Sequence, residues 1–518
     1  MLLILVFPTI LVAIPLLLVL QHVFVYLWDS KGLRKYPGLN CLSGITNLAY
    51  IYEVHKSGGF RTRALHEAHQ AYSIIRLGPN SLSFRDIRAI KEMYGHATAC
   101  VKGDMYMVAA GDHVSLLDVV NKENHSLKRK RLAAAFAAKN LEGWEHKVVD
   151  KCTRLVRQFD QLCSQTSKET GLEVVTVDWR LWSNLFTVEA IADIALSQNL
   201  GLLEAGNDMV TAQDTIGNTR QVGFIQSLHG MGRSIAPIVW SSEGYHFLKK
   251  VLSVFKTFQA ELTNNEAYND IVRHLVSKRL DRYRLGEKPD DFFGCLMEDR
   301  NGSPVGLELG EIQAEVHTFM NAGSDTTAIA LTHALYYLLK NPDKFERLRK
   351  ELDTVLDPTK VVPSYASVRD VTYLRACLDE ALRLSPPVSF GLQRKTPAEG
   401  ASINGQWIPG NTHVSVPAYT AHRDPVVFPD PTRYLPERWL NGFAKSVQSY
   451  FIPFNMGSRG CIGRNISYLE QHVLLATLVR RYDFALPHPD WELQWEEQFN
   501  LWPSAMPLEI SHRRRVDK

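Results

Sequence analysis

Phe454-Asn455-Met456-Gly457-Ser458-Arg459-Gly460-Cys461-Ile462-Gly463 is the stretch on which the reading of this chain turns. Three glycines bracket one cysteine, and an arginine stands two residues before it. Glycine has no Cβ, so backbone N–H groups can close in on the sulfur. Ile466, Leu469 and Val473 then repeat at helical steps, which puts Cys461 at a helix N-terminus. There the helix dipole and free N–H donors favour a thiolate, and a thiolate suits a metal. A lone cysteine also serves as a small buried hydrophobe, so the reading needs support from elsewhere in the chain.

The 518 residues are 45% hydrophobic and 22% charged, which excludes disorder for the bulk. Fifty-eight basic against 55 acidic residues leave a formal net charge of +3, so no nucleic-acid footprint covers the chain. Seven cysteines without a C-x-x-C pair argue against a disulfide framework or a zinc site, and for a reducing compartment. Gly230-Met231-Gly232 lacks the third glycine of a dinucleotide fingerprint. His66-Glu67-Ala68-His69 lacks the spacing of a zinc-protease helix, and both histidines read as surface residues. Neither a Gly-Lys-Ser phosphate loop nor a Gly-x-Ser-x-Gly elbow occurs, so nucleotide and serine hydrolysis are unsupported.

From Met1 to Trp28 no residue is charged. Such a run exceeds the ~20 residues that cross ~30 Å of hydrocarbon, and a spanning helix tolerates Pro8 and Pro15. A cleaved signal peptide is the competing reading; the length of the run and the lack of a basic residue before it disfavour it. Lys31, Arg34 and Lys35 follow, which puts that flank in the cytosol, and Tyr36-Pro37-Gly38 stops the linker. Ile235, Pro237, Ile238 and Trp240 offer a second patch that could touch a membrane. Downstream, helical patterns dominate. Asn341-Pro342 caps a helix whose Phe345, Leu348, Leu352 and Val355 share a buried face. Gly286 to Gly310 reads as a loop, and Asn404-Gly405 as the type I′ turn of a hairpin. The pattern predicts a mainly α single domain with a minor antiparallel β part.

The order of residues around Cys461 resembles F-x-x-G-x-R-x-C-x-G, the haem-binding loop of the cytochromes P-450, at every fixed position from Phe454 through Arg459 to Gly463. Glu380-Ala381-Leu382-Arg383 resembles the family's E-x-x-R helix, and Pro436-Glu437-Arg438-Trp439 the segment that supplies a third partner. The resemblance implies a buried, charge-assisted network of Glu380, Arg383 and Arg438. Alone, E-x-x-R is a weak signal, since Glu346-Arg347-Leu348-Arg349 repeats it. Ala322-Gly323-Ser324-Asp325-Thr326-Thr327 is similar to the family's oxygen-binding helix, A-G-x-D-T-T. Its glycine and β-branched residues invite a kink. Taken alone, Asp-Thr-Thr also reads as an N-cap. By the resemblance, Asp325 and Thr326 are the acid and alcohol that deliver protons, and Ala322 approaches the haem face. Thr318, Ala322 and Thr326 lie four apart on one side of that helix. His125 and Arg129 align with the family's haem-propionate helix, with His125 where many members have tryptophan, and Arg394 resembles a further propionate arginine.

What the resemblance implies is a cytochrome P-450 fold, one large catalytic domain behind an N-terminal membrane anchor. Residues 1–28 are the expected transmembrane signal anchor, 29–45 a basic linker, and 46–518 the haem-thiolate monooxygenase domain. The expected cofactor is haem b with Cys461 as axial ligand; Arg459, His125, Arg129, Arg394, Ala322 and Phe454 are its further contacts. The expected reaction inserts one atom of O2 into an apolar or aromatic small molecule, as a step of fungal secondary metabolism. Electrons would come from NADPH through a separate NADPH–cytochrome P-450 reductase, docked on Lys128-Arg129-Lys130-Arg131. The setting would be the endoplasmic reticulum membrane, single-pass, with the catalytic domain cytosolic. By family analogy the substrate would touch the segments Val101–Val114, Gly223–Trp240, Val388–Leu392 and Phe499–Pro503. A haem-thiolate isomerase or dehydratase and a non-catalytic, membrane-anchored haem binder are the rival readings; the intact Asp325-Thr326 pair favours neither.

Overall fold

Apolar residues at steps of three and four gather into long helices, and these build most of the core. The computed structural model describes residues 17, 19–56, 59–133, 135–137, 140–170, 174–288 and 290–513. The helices that bear on the site are α1 (Lys122–Leu132), α2 (Trp179–Leu196), α3 (Phe224–Ile235), α4 (Lys256–Arg284), α5 (Leu309–Leu339), α6 (Thr372–Leu384) and α7 (Arg464–Arg481). Almost every residue of α2 is buried, as is nearly all of α5 beyond Ser324, so these two form the centre. A capping box between Glu308 and Glu311 starts α5. The helix runs through Gly323 without interruption. A Cβ at Gly323 would sit 2.5 Å from Ile191 Cγ1, so this glycine serves close packing against α2.

The largest sheet has five strands, in the spatial order Ile74–Gly78, Ser81–Phe84, His413–Ser415, Arg394–Lys395 and Val101–Lys102. It departs from the expected all-antiparallel pattern, because His413–Ser415 runs parallel to Ser81–Phe84. Its last pairing sets Lys102 directly opposite Arg394. Like charges in that register repel, so something else must compensate them. The Asn404-Gly405 hairpin forms as expected, with φ of 51° and 72° at its two turn residues. A C-terminal hairpin, Trp495–Glu497 with Leu501–Pro503, carries Phe499 and Asn500 in its loop.

Several local expectations are corrected. The side chain of Asn341 makes no cap bond to the helix Pro342–Val355; it donates instead to the carbonyl of Tyr337 at 2.8 Å. Val355 is exposed, while Phe345, Leu348 and Leu352 are buried as expected. The stretch from 286 to 310 contains a short helix, Gly294–Met297. His69 is wholly buried between Ser83 and the carbonyl of Tyr72. Ile238 is buried too, and Trp240 packs on Tyr50 and Phe390 beneath the Arg61 guanidinium, so no exposed patch forms there. The exposed apolar residues nearby are Phe247, Val251, Val254 and Phe255. Residues 1–16 and 18 of the expected anchor lie outside the described residues. Among the described ones, 19–28 are helical with Phe24, Val25, Leu27 and Trp28 exposed, and no helix is long and apolar enough to cross a membrane.

Candidate active site

On α5, Ala322 is exposed although the helix around it is largely covered, so this side looks onto open space. Thr326 stands one turn further on, and its hydroxyl donates to the Ala322 carbonyl at 2.8 Å. The next residue, Thr327, meets Ser467 of α7 at 2.8 Å, which fixes α5 over the start of the helix that follows the cysteine loop.

Asp325 turns away from that space into a closed network. Its Oδ1 accepts from Arg180 Nη2 at 2.7 Å and lies 3.4 Å from His229 Nε2. Its Oδ2 accepts from Asn500 at 2.8 Å and Trp502 at 2.7 Å. Burial by itself would raise the carboxyl pKa; Arg180, then His229 and Asn500, hold it far below the usual carboxylate range. Asp325 is therefore an ionised acceptor that ties α2, α3 and the C-terminal hairpin to α5.

The cysteine loop is shaped by its neighbours. Gly457 has φ of 68°, and a Cβ there would come 2.1 Å from the Tyr94 carbonyl, so only glycine fits. The turn Gly457–Arg459 follows, and the Cys461 N–H donates to the Phe454 carbonyl at 2.8 Å. Phe454 packs against Tyr468 of α7, ring centroids 5.1 Å apart. Burial pushes the Cys461 thiol up, opposed by the backbone N–H groups of Gly463 and Arg464 and by the Arg129 charge. Cys461 is nonetheless open on one side. Arg129 donates to the Gly460 carbonyl at 2.8 Å, and Arg459 to the carbonyls of Val119 and Val120, both at 2.8 Å. These bonds lace α1 and the segment before it to the loop.

Five bases meet here: Lys102, His125, Arg129, Arg394 and Arg459. Burial lowers the pKa of Lys102 to about 7, helped by Arg459 and Arg394 and opposed by Asp118. Burial and the same four neighbours push His125 to about 3. Burial and Arg394 bring Arg459 to about 10. Such a surplus of positive charge, much of it drawn out of water, is costly unless an anion joins it.

The cytochrome P-450 family profile matches residues 45–506. The chain belongs to the cytochrome P-450 family. It is 30% identical over 466 residues to cytochrome P-450 monooxygenase 1 of Neocamarosporium betae, covering 88% of both chains. It is 28% identical over 510 residues to benzoate 4-monooxygenase bphA of Aspergillus niger, covering 96% of both. Cytochrome P-450 monooxygenase cicH of Emericella nidulans is 30% identical over 477 residues, 88% of this chain and 90% of that one. This cytochrome P-450 is thus an oxidoreductase, a haem-thiolate monooxygenase whose cofactor is haem b held by a cysteine thiolate. The residues present fit that group. A thiol ringed by N–H donors suits the iron, and the surplus bases suit the two propionates.

Behind α5, Glu380 accepts from Arg383 at 2.8 and 2.9 Å, from Arg438 at 3.0 Å and from Trp439 at 2.8 Å, which is the expected network with one added member. The expected docking run divides. Lys128 is paired with buried Glu315 at 2.9 Å and Arg129 points at the cysteine loop, so Lys130 is the exposed member.

A cavity of about 550 Å³ lies beside α5, lined by Thr318, Asn321 and Asp325 among others. The segments expected to line it do so from Met105 to His113, from Leu228 to Val239 and from Phe499 to Trp502. Val388–Leu392 does not; Phe390 is packed against Trp240 and Phe499 instead. Sequence reasoning missed Lys102, and it missed α4, which contributes Asn265, Asn269, Val272 and Arg273 to the lining.

Proposed function

We propose that Cys461 would supply the thiolate that holds the haem iron and that Lys102, His125, Arg129, Arg394 and Arg459 would hold its propionates. The observation that carries this reading is the meeting of the Cys461 loop with five bases, Lys102, His125 and Arg394 buried and Arg129 and Arg459 half-buried, with Asp118 as the acid beside them. When bound, haem b activates O2 so that one atom enters the substrate and the other leaves as water. The protein's own part is to bind, orient and move protons. Ala322 leaves room over the haem face, and Phe454 backs the cysteine loop. Thr326 Oγ1, anchored by its bond to the Ala322 carbonyl, keeps its lone pairs free to hold water and pass a proton inward. Asp325, ionised and held by Arg180, Asn500 and Trp502, supports proton delivery by fixing the elements around α5 rather than by carrying the proton itself.

The electrons come from NADPH through a separate reductase that meets a face including Lys130. The chain is anchored by residues 1–28 in the endoplasmic reticulum membrane, with 29–45 as linker and 46–518 in the cytosol. Exposed Phe247, Val251, Val254 and Phe255, beside Lys249, Lys250 and Lys256, support contact with an anionic lipid surface. The resemblance to fungal relatives supports a step of secondary metabolism. The test is turnover with reductase and NADPH. Thr326→Ala should keep haem and substrate binding, cut product about 10²-fold or less if water substitutes, and divert electrons to peroxide. Unchanged rate and coupling would remove Thr326 from the relay.

A further inference from the structure

The cavity draws on two unlike stretches of lining. On one, Leu228, Met231, Ile235 and Val239 present hydrocarbon. On the other, Gln313, His317 and Asn321 of α5 recur at steps of four, so they form one row along the cavity. At 1.5 Å per residue that row spans about 12 Å. Asn265 and Asn269 of α4, also four apart, line the same cavity. The two helices are locked in register here, because the Tyr268 hydroxyl donates to the His317 carbonyl at 3.1 Å and their rings meet edge to face at 4.7 Å. Among the described residues, none of these four amides and neither nitrogen of His317 has a hydrogen-bond partner within the protein.

These side chains are half-buried, with Asn269 exposed, so solvent answers them in the open cavity; a ligand that covers them must answer them instead or meet a cost. The row is also neutral. Burial pushes His317 down to about 4, so its imidazole is uncharged near pH 7. Of the charged residues in the lining, Arg273 is matched by Asp270 and Asp325 by Arg180, while Asp112, Asp118 and Lys249 stand outside the row. The row itself offers a carboxylate no cation; Lys249, elsewhere in the lining, is the charge an acid would meet. Each amide can donate and accept, so the row answers hydroxyl, carbonyl and amide groups alike.

We propose that this cytochrome P-450 takes a neutral, elongated, polyoxygenated molecule, with its oxygens along Gln313, His317, Asn321, Asn265 and Asn269 and its hydrocarbon edge along α3. This deepens the monooxygenase reading and rests on it. It also adds an oxygenated edge to the expected apolar or aromatic ligand.

The test uses the full-length holoenzyme and follows the haem spin-state shift on titration. Two matched pairs serve as probes: hydrocortisone against progesterone, and a ring-hydroxylated macrolactone against its unsubstituted parent. Sodium benzoate is the small acid. The oxygenated member of at least one pair should bind about ten-fold or more tightly than its partner, and benzoate should bind worst. Asn269→Leu/Asn321→Leu should erase that preference, and His317→Phe, which keeps the ring's shape, should shrink it about five-fold. The proposal is overturned if the less oxygenated members of both pairs bind as tightly, if no oxygenated member binds, if benzoate binds best, or if the variants leave the ratios unchanged. The reduced carbon monoxide spectrum of each sample separates the two levels. A normal thiolate spectrum without the preference sinks this proposal alone, whereas loss of that spectrum in the wild type sinks the haem-thiolate reading beneath it.

Discussion

Two groups of buried and half-buried arginines in this protein differ in one respect. Arg383 and Arg438 close on Glu380, with Trp439 completing its coordination and Arg383 also donating to the carbonyls of His422, Pro431 and Arg433. Arg129, Arg394, Arg459 and Lys102 donate to neutral carbonyls and repel one another, with the uncharged His125 among them. A buried charge matched within the chain is architecture. A buried surplus of one sign marks the seat of a ligand of the other sign.

Breaking the matched group should have the largest effect. Glu380→Gln strands two buried guanidinium groups, and the loss of one partner of such a network costs about 3–5 kcal/mol. Denaturant unfolding should register that loss, and the variant should fail to retain haem. Asp325→Asn strands Arg180 in the same way, though an amide oxygen can still accept from Asn500 or Trp502, so its loss of stability should be smaller. This variant perturbs folding as well as proton transfer, which makes Thr326→Ala the cleaner probe of the relay.

The surplus group should respond in the opposite sense. Lys102→Met removes one repelling charge, so folding stability should change by less than about 1 kcal/mol, while haem dissociates faster. A loss as large as that of Glu380→Gln would erase the contrast between the groups. The same lysine gives a pH signature. Its folded pKa of about 7 lies below its ordinary 10.5, so between those values the unfolded chain binds more protons and stability rises with pH before haem is bound. Propionates raise the lysine pKa again, so haem binding takes up a proton and weakens as pH rises from about 7 to 9. Haem transfer to an acceptor globin at the two ends of that range should show this trend in the wild type and a flatter one in Lys102→Met.

The cysteine loop was legible because its chemistry lies in one contiguous run, Phe454 to Gly463, with a spacing that chance does not supply. Glu380, Arg383 and Arg438 were legible for the same reason, each inside a short motif. Lys102 was not, since a single lysine on a two-residue strand looks like any surface residue until its pairing sets it opposite Arg394. The polar row was hidden by its own periodicity: Gln313, His317 and Asn321 at steps of four read from sequence as the solvated face of an amphipathic helix. The partners of Asp325 come from residues 180, 229, 500 and 502, and no local pattern joins segments so far apart. The helical class was readable from periodicity, whereas the parallel pairing of His413–Ser415 with Ser81–Phe84 depends on contacts more than three hundred residues apart.

The most direct measurement is the carbon monoxide difference spectrum of the reduced protein, taken for the wild type and Cys461→Ser. With Cys461 as the iron's thiolate ligand, the wild type gives the thiolate signature and the serine variant loses it while remaining folded by circular dichroism. An unchanged spectrum in Cys461→Ser would remove Cys461 from the iron and contradict the account.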